Sequence, residues 1–288
     1  MFRNNKRAYW GFVLPAVFFL SIIILIPFVY GIVTSFTNSD GFNFDFIGFD
    51  NYIRLFSDTQ FLRSLWFTIR FAVTAVILVN VIGLGFAVLV TEISSKIKVA
   101  FRTAFFTPNL IGGVILGFIW QFIFNNAFSY IYQASGWSFF EGWLADERTA
   151  FWGMVMVFVW QMGGYIMLIY IAFLSQIPKE VEEASLLDGS SSWQNFVSIK
   201  LPMLAPAFTI SLFLTLSNAF KVYDMNLSLT NGGPYRSSEM VAMNIYNTAF
   251  YQYEQGYAQA KGIVFLIVIA VIAVIQLAVN RRQEAKLK

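Results

Sequence analysis

The stretch 182-EEASLLDGSSSWQNFVSIKLP-202 interrupts two long hydrophobic runs and decides how the rest of the chain is read. Pro178, just ahead of it, suits a first helical turn, where the missing N–H is no loss. Lys179 to Leu187 are mostly good helix formers. Asp188-Gly189 ends that helix, because glycine accepts the left-handed conformation that a C-terminal cap requires. Ser191 and Gln194 have the spacing of a capping box. Trp193, Phe196, Val197 and Leu201 then recur at about helical period, and Pro202 marks the next boundary. The pattern predicts helix, turn, helix. By pattern alone it fits an ordinary connector or an element that docks on something in water.

Composition places the flanking runs in a membrane. Of 288 residues, 58% are hydrophobic and 12% charged, with 33 phenylalanines. A soluble domain has about 45–50% and about 25%. The net charge of +3 is no signal for nucleic acid, because the basic residues sit beside hydrophobic runs. There is no cysteine and no histidine. That excludes a disulfide framework, a thiolate nucleophile, a Cys/His zinc site, and Ser-His-Asp or Cys-His catalysis. No GxxxxGK[ST] phosphate loop is present. A chain of this kind that uses ATP must find the nucleotide site on another polypeptide.

About 20 apolar residues span a bilayer, and six runs qualify. The first, Ala8 to Phe36, is too long for a signal-peptide core alone; Pro15 and Pro27 are its candidate kinks. A polar loop, Thr37 to Arg63, leads to the second, Ser64 to Thr91, with Arg70 placed to snorkel. The third runs from Thr103 to Asn125 through Pro108. An aromatic loop with room for an interfacial helix, Ala127 to Arg148, precedes the fourth, Thr149 to Gln176. The fifth is Met203 to Leu229 and the sixth Gly262 to Asn280. One side of this arrangement holds Arg3, Lys6, Arg7, Lys96, Lys98, Arg102, Lys179, Lys200, Arg281, Arg282, Lys286 and Lys288. The other holds Arg54, Arg63, Arg148 and Arg236. The positive-inside bias makes the first side cytoplasmic, with both termini and the hairpin. The expectation is an all-α integral membrane protein, a single domain over residues 1–288, with a cytoplasmic hairpin at about 178–202.

Polar groups within the spans are the candidates for a pathway. Lys221 and Asp224 are three apart on the fifth run, which suits either mutual neutralisation or a place at the outer gate of a cavity. Asn109, Gln161, Tyr165 and Asn218 supply amides and a phenol at depth. Hydrogen bonds to hydroxyls plus aromatic faces are what a sugar site needs. Packing and interhelical bonding explain each of these residues equally well. On the hairpin, the carboxylates Glu180, Glu182, Glu183 and Asp188 read as a solvated face, not an acid–base pair.

The hairpin also carries a resemblance. Glu183-Ala184-Ser185, two residues, Asp188-Gly189-Ser190, five residues, Phe196, two residues, Ile199, one residue and Leu201-Pro202 resemble the EAA loop of ATP-binding-cassette importer permeases. The family pattern is E-A-A-x-x-D-G-A-x-x-x-x-x-F-x-x-I-x-L-P, and the chain departs from it at Ser185 and Ser190. Thr230-Asn231-Gly232-Gly233-Pro234 resembles a second signature, that of one permease subunit of maltose-transporter-type carbohydrate importers. Tyr223, Ala249-Phe250, Gly256-Tyr257, Ala260, Trp120 with Phe124, and Trp160 with Tyr165 look like the same subgroup.

The resemblance implies the type I importer permease fold and no enzymatic activity in this chain. ATP and magnesium would lie on two separate ATPase subunits. A second, similar permease subunit and an extracytoplasmic solute-binding protein complete the assembly, in a bacterial or archaeal cytoplasmic membrane. The implied cargo is a sugar, with an oligosaccharide favoured. The hairpin would be the coupling helix. Glu183 would contact the ATPase, beside Glu182 and Asp188. Ala184 and Leu187 would seat in its groove, and Gly189 would make the turn. Tyr165 would line the sugar cavity. The same architecture also serves glycerol phosphate, polyols or amino acids. An ion-coupled carrier is the alternative from another class, and an intramembrane enzyme a third.

Overall fold

The computed structural model describes residues 6–93 and 95–286. Arg3 and Lys288, together with the side chains of Lys6, Arg7, Lys96, Arg281, Arg282 and Lys286, entered the orientation count but lie outside what is described. Five helices are long and apolar enough to cross a membrane: Trp10–Thr34, Thr59–Glu92, Gly113–Ser135, Glu147–Leu174 and Gln255–Asn280. The pair Ser192–Met203 and Ala205–Phe220, bent by 67°, makes a sixth candidate. Among the described residues there is no strand, only one isolated bridge, Thr37 to Phe46. The chain folds as two compact units. One comprises the described part of Met1–Leu62 with Asn244–Ile267, the other Arg63–Met243 with the described part of Val268–Lys288.

The larger unit is built around Glu147–Leu174, over half buried along its apolar window. Asp146 starts this helix as N-cap, its Oδ2 accepting from Arg148 N–H at 2.9 Å. Small residues let neighbours approach it closely, as membrane helix packing demands. A Cβ on Gly164 would overlap the Phe105 carbonyl, and one on Gly83 would press on Ile166. Lower down, Tyr170 Oη donates to Asn80 Oδ1 (2.8 Å) and shares a hydrogen bond with Ser211 Oγ (2.9 Å). That buried network ties Thr59–Glu92, Glu147–Leu174 and Ala205–Phe220 together. Arg70 lays its guanidinium 4.5 Å from the Phe151 ring centroid, a cation–π contact.

Two expected spans are broken. The third is not one helix from Thr103. Ser95–Phe106 ends in a 3-10 turn, Thr107–Leu110, and Ile111 and Gly112 are extended before Gly113–Phe122 begins. Pro108 has no N–H to donate, so regular helix cannot run through it. The fifth run breaks after Phe220, and a separate short helix, Asp224–Leu229, follows. This short helix packs on Gly113–Phe122, where a Cβ on Gly117 would overlap Ser228. The expected loop after Asn125 is helical as far as Ser135.

In the smaller unit, Trp10–Thr34 has an apolar stretch with nothing buried, as suits a helix facing lipid, and buries only Gly31 and Thr34 at its end. Its π turn, Ser21–Leu25, lies where Pro27 withholds a helical N–H, whereas Pro15 sits inside regular helix. Gly256 closes on the strand-like loop end, donating its N–H to Ser39 O at 2.9 Å. The unit's unexpected feature is Lys261, a buried cation in the last helix, six residues beyond its start. Its Nζ lies 2.9 Å from Asp58 Oδ2 and donates to Asn244 Oδ1 (2.9 Å) and Thr248 Oγ1 (3.0 Å).

Burial alone would raise the Asp58 carboxyl. The Phe61 N–H, Lys261 and the Tyr257 hydroxyl outweigh it, and the pKa falls from 3.8 to about 2. A depressed carboxyl stabilises the fold above its unfolded value and loses that contribution as pH falls through the folded one. Thermal unfolding should therefore be insensitive to this group from pH 7 to about 4 and lose stability between about 4 and 2. Asp58→Asn should abolish that acid-dependent component. It should also cost on the order of 3 kcal/mol at neutral pH, because Lys261 is left without its counter-charge. The double change Asp58→Asn, Lys261→Met should recover most of this.

Candidate functional site

Two places concentrate polar chemistry, the hairpin and the break in the third span. In the hairpin, Lys179–Leu187 runs to Asp188 and turns at Gly189, whose φ of +84° glycine adopts at no steric cost. Pro178 is the residue before the first turn rather than within it. Gly189 N–H donates to Leu186 O (3.1 Å) and Ser190 N–H to Ser185 O (3.2 Å). These are the two bonds of a Schellman cap. Ser191 opens the second helix with a complete capping box: Gln194 N–H donates to its Oγ (3.2 Å), and Ser191 N–H to Gln194 Oε1 (2.8 Å). Two end caps therefore lie back to back with one residue, Ser190, between Gly189 and Ser191.

Cross-links hold the two hairpin helices at a fixed angle. Lys200 Nζ lies 2.9 Å from Glu182 Oε2. Ser185 and Ser190 share a short hydroxyl–hydroxyl hydrogen bond, and Ser190 Oγ also donates to Ser185 O at 2.7 Å. The two positions at which the sequence departs from the EAA pattern thus touch each other. Glu182 is half-buried in its ion pair, while Glu183, Ala184, Leu187, Asp188 and Gly189 are exposed. Leu187 is 89% exposed and Trp193 72%, a large apolar display for a polar loop.

The break in the third span collects three of the six pathway candidates. Gln161 Nε2 donates to Ile111 O at 3.0 Å, and Asn109 Nδ2 reaches Met162 Sδ at 3.5 Å. Asp224 packs its Cβ against Gly113. Tyr165, one turn beyond Gln161, is half-exposed, and among the described residues its hydroxyl has no hydrogen bond. Asn218 is exposed, its amide donating to Leu214 O within its own helix. Lys221 and Asp224 are both exposed and fall on either side of the break after Phe220. They are not one helical turn apart, and among the described residues no ion pair joins them.

Sequence reasoning missed Asn226, which organises the Thr230–Pro234 loop. Its Nδ2 donates to Thr230 Oγ1 (3.0 Å) and Ser238 O (2.9 Å), and Met240 N–H donates to its Oδ1 (3.0 Å). Arg236 grips the buried Glu239 through two hydrogen bonds. The glycine-rich turn is held by its neighbours on both sides. An isolated asparagine in an apolar run was the signal available for Asn226, as it was for Asn80.

An all-helical chain with five to six membrane spans, one of them interrupted beside polar side chains, defines a polytopic membrane transport protein. Residues 79–285 match the family described as binding-protein-dependent transport system inner membrane component. The chain belongs to that family, and so is a transport permease subunit. It is 47% identical to the probable starch degradation products transport system permease protein AmyD of Thermoanaerobacterium thermosulfurigenes, over 99% of this chain and 98% of that one. It is 30% identical to the multiple sugar-binding transport system permease protein MsmF of Streptococcus mutans, over 97% of each. Its fold is similar to that of a chain in a bacterial ABC transporter involved in import of the acidic polysaccharide alginate. That match has a TM-score of 0.83 at 20% identity, over 96% of this chain and 95% of that one.

The Gln161 bond makes a testable distinction. If its amide chiefly satisfies the Ile111 carbonyl, Gln161→Leu should lower thermal stability by roughly 1–2 kcal/mol, since an unpaired buried carbonyl carries about that penalty. Transport should then recover in part at lower temperature. Unchanged stability with transport lost would make Gln161 a cargo ligand instead.

Proposed function

We propose that this chain is one of two permease subunits of an ATP-driven, binding-protein-dependent importer of carbohydrate, with oligosaccharides from polysaccharide breakdown as the favoured cargo. The carrying observation is the exposed face formed by Ala184 and Leu187 on a hairpin whose turn is fixed by two caps and an ion pair. An element so firmly built yet so apolar on its outside suits a lever seated in another protein. Relatives named for starch degradation products and multiple sugars support the cargo class.

In this reading the hairpin and both termini are cytoplasmic. Glu183, Ala184, Leu187, Asp188 and Gly189 form the surface that meets an ATPase subunit, and Glu182 braces it from within through Lys200. Two such ATPase subunits carry ATP and magnesium, while an extracytoplasmic binding protein delivers the sugar. ATP-driven closure of the ATPases moves the hairpins, the spans reorient the cavity, and hydrolysis resets them. Tyr165, with its open phenol, is the best-placed sugar contact. Asn109, Gln161, Asn218, Lys221 and Asp224 complete the candidate pathway, the last two now as separate polar groups and not a pair.

Gly189 provides the sharpest test. A Cβ there meets nothing within 4 Å, so a substitution acts through backbone strain and not crowding. Gly189→Val should strain the turn by about 1–2 kcal/mol. It should greatly reduce uptake of radiolabelled maltodextrin and the co-purification of the ATPase, with the chain still inserted. Gly189→Asn, which tolerates positive φ, should be milder. Full uptake by Gly189→Val would remove the hairpin from the coupling mechanism.

A further inference from the structure

A cavity of about 850 Å³ lies within the larger unit, and none of the six pathway candidates lines it. Its walls come from Thr59–Glu92, through Ile82 and Phe86, from Phe105 and Pro108, and from Glu147–Leu174, through Val155 and Val159. These surfaces are apolar. The polar side chains lining it, Ser138, Glu141, Arg148 and Thr149, come from the segment just before Glu147–Leu174 and from its first turn. Trp143 and Trp152 also line it near that end, the residue type that marks the level of lipid headgroups, and a third tryptophan, Trp160, lines it deeper.

The dimensions are those of one leaflet. From Arg148 to Gly164 the helix rises roughly 24 Å at about 1.5 Å per residue. Half a bilayer, headgroup included, is about 20–22 Å. A carbohydrate needs hydrogen-bonding groups along its whole length as well as ring faces, and below the mouth the lining side chains offer one donor, the Trp160 indole N–H, amid hydrocarbon and phenyl rings. The occupant must be polar at one end and hydrocarbon over the rest.

The charges at the mouth narrow the headgroup. Glu141 and Arg148 are both exposed, and among the described residues neither joins an ion pair. An anionic headgroup would satisfy Arg148 but lie beside Glu141 uncompensated. A zwitterion carrying a phosphate and a primary ammonium matches both. We propose that this cavity is a binding site for a single phosphatidylethanolamine molecule, its phosphate on Arg148, its ammonium on Glu141 and its acyl chains along Val155–Val159 and Phe105. The bound lipid fills the space between three helices of the larger unit and so supports the packing on which the break at Ile111 rests.

The assembled transporter, purified from its own membrane, is placed in nanodiscs with phosphatidylethanolamine carrying a photoactivatable acyl chain. A parallel sample receives the phosphatidylglycerol analogue. Labelled peptides should map to Val155–Trp160 and Phe105, with the ethanolamine probe favoured about fivefold, as one extra matched charge is worth about 1 kcal/mol near a membrane surface. The exposed double change Glu141→Gln, Arg148→Gln should equalise the two probes without loss of protein. Val159→Trp, which fills the cavity, should abolish labelling there. Equal labelling by both probes, unaltered by the double change, would reduce the cavity to bulk-lipid contact and overturn the proposal. So would a cysteine at Val159 cross-linking in high yield to another polypeptide, since a protein helix would then occupy the space. Competition by maltodextrin but not by unlabelled phosphatidylethanolamine would make it a carbohydrate site and overturn the proposal as well.

Discussion

The carbonyl of Ile111 sets the terms for the larger unit. Within a bilayer every backbone polar group has to be satisfied by protein, and irregular backbone survives there only when it is buried in protein or lines a cavity. Pro108 interrupts its helix, and Ile111 and Gly112 are extended beyond it. The facing helix answers with Gln161, about 21 Å along Glu147–Leu174 at about 1.5 Å per residue, donating to that carbonyl. The break, the polar side chain and the depth belong together. Transporter sites for polar solutes are typically built from interrupted helices near the middle of the membrane, and the chain has a break and an amide at that depth, which supports the pathway proposed there.

That arrangement depends on close approach elsewhere. Phe105 can lie against the central helix only because Gly164 has no side chain. Asp224–Leu229 can sit on Gly113–Phe122 only because Gly113 and Gly117 have none. Between lipid-facing helices there is little hydrophobic drive to associate, so shape and a few hydrogen bonds decide the packing. Tyr170 with Asn80 and Ser211 supplies such bonds below the break. The Asn226 network supplies them on the other side, tying the short helix to Ser238 and Met240. The two networks bracket the interrupted segment.

The hairpin was legible because its signals are local. Proline, glycine and the Ser191–Gln194 spacing act within a few residues, so the caps could be written down before any packing was known. The number of spans followed in the same way from the lengths of the apolar runs. The breaks were not legible as breaks. Pro108 was visible, but whether it kinks a helix or ends one depends on a partner fifty residues away. Lys221 and Asp224 illustrate the same limit: their spacing fits a helical pair only if the helix continues, and it ends at Phe220. Lys261 was hidden for a different reason. It sits at the edge of an apolar run, where a lysine ordinarily snorkels to water, and only the fold brings Asp58 to it.

The hairpin's departures from the family pattern bear on how stiff it is, and so on the lever role proposed for it. An alanine at either position would remove the hydroxyl–hydroxyl bond across the turn. Here Ser185, buried on the first helix, meets Ser190 across the turn, and the hydroxyls close a loop with the Ser185 carbonyl that already accepts the Ser190 N–H. Ser190 already has a partner in the Ser185 carbonyl, and the Ser185 hydroxyl, buried on the first helix, finds its own in Ser190 Oγ. Together they add side-chain bonds to a turn already held by a Schellman cap, a capping box and the Glu182–Lys200 ion pair. A lever is useful only if displacement at one end appears at the other, and a loose elbow would absorb it as local bending. With so many short-range bonds fixing the angle at Gly189, the coupling role proposed for the hairpin has a stiff element to act through: motion imposed on the Ala184–Leu187 face would be carried through Lys200 into the bent helix pair that follows, and from there towards Ser211 and the central helix.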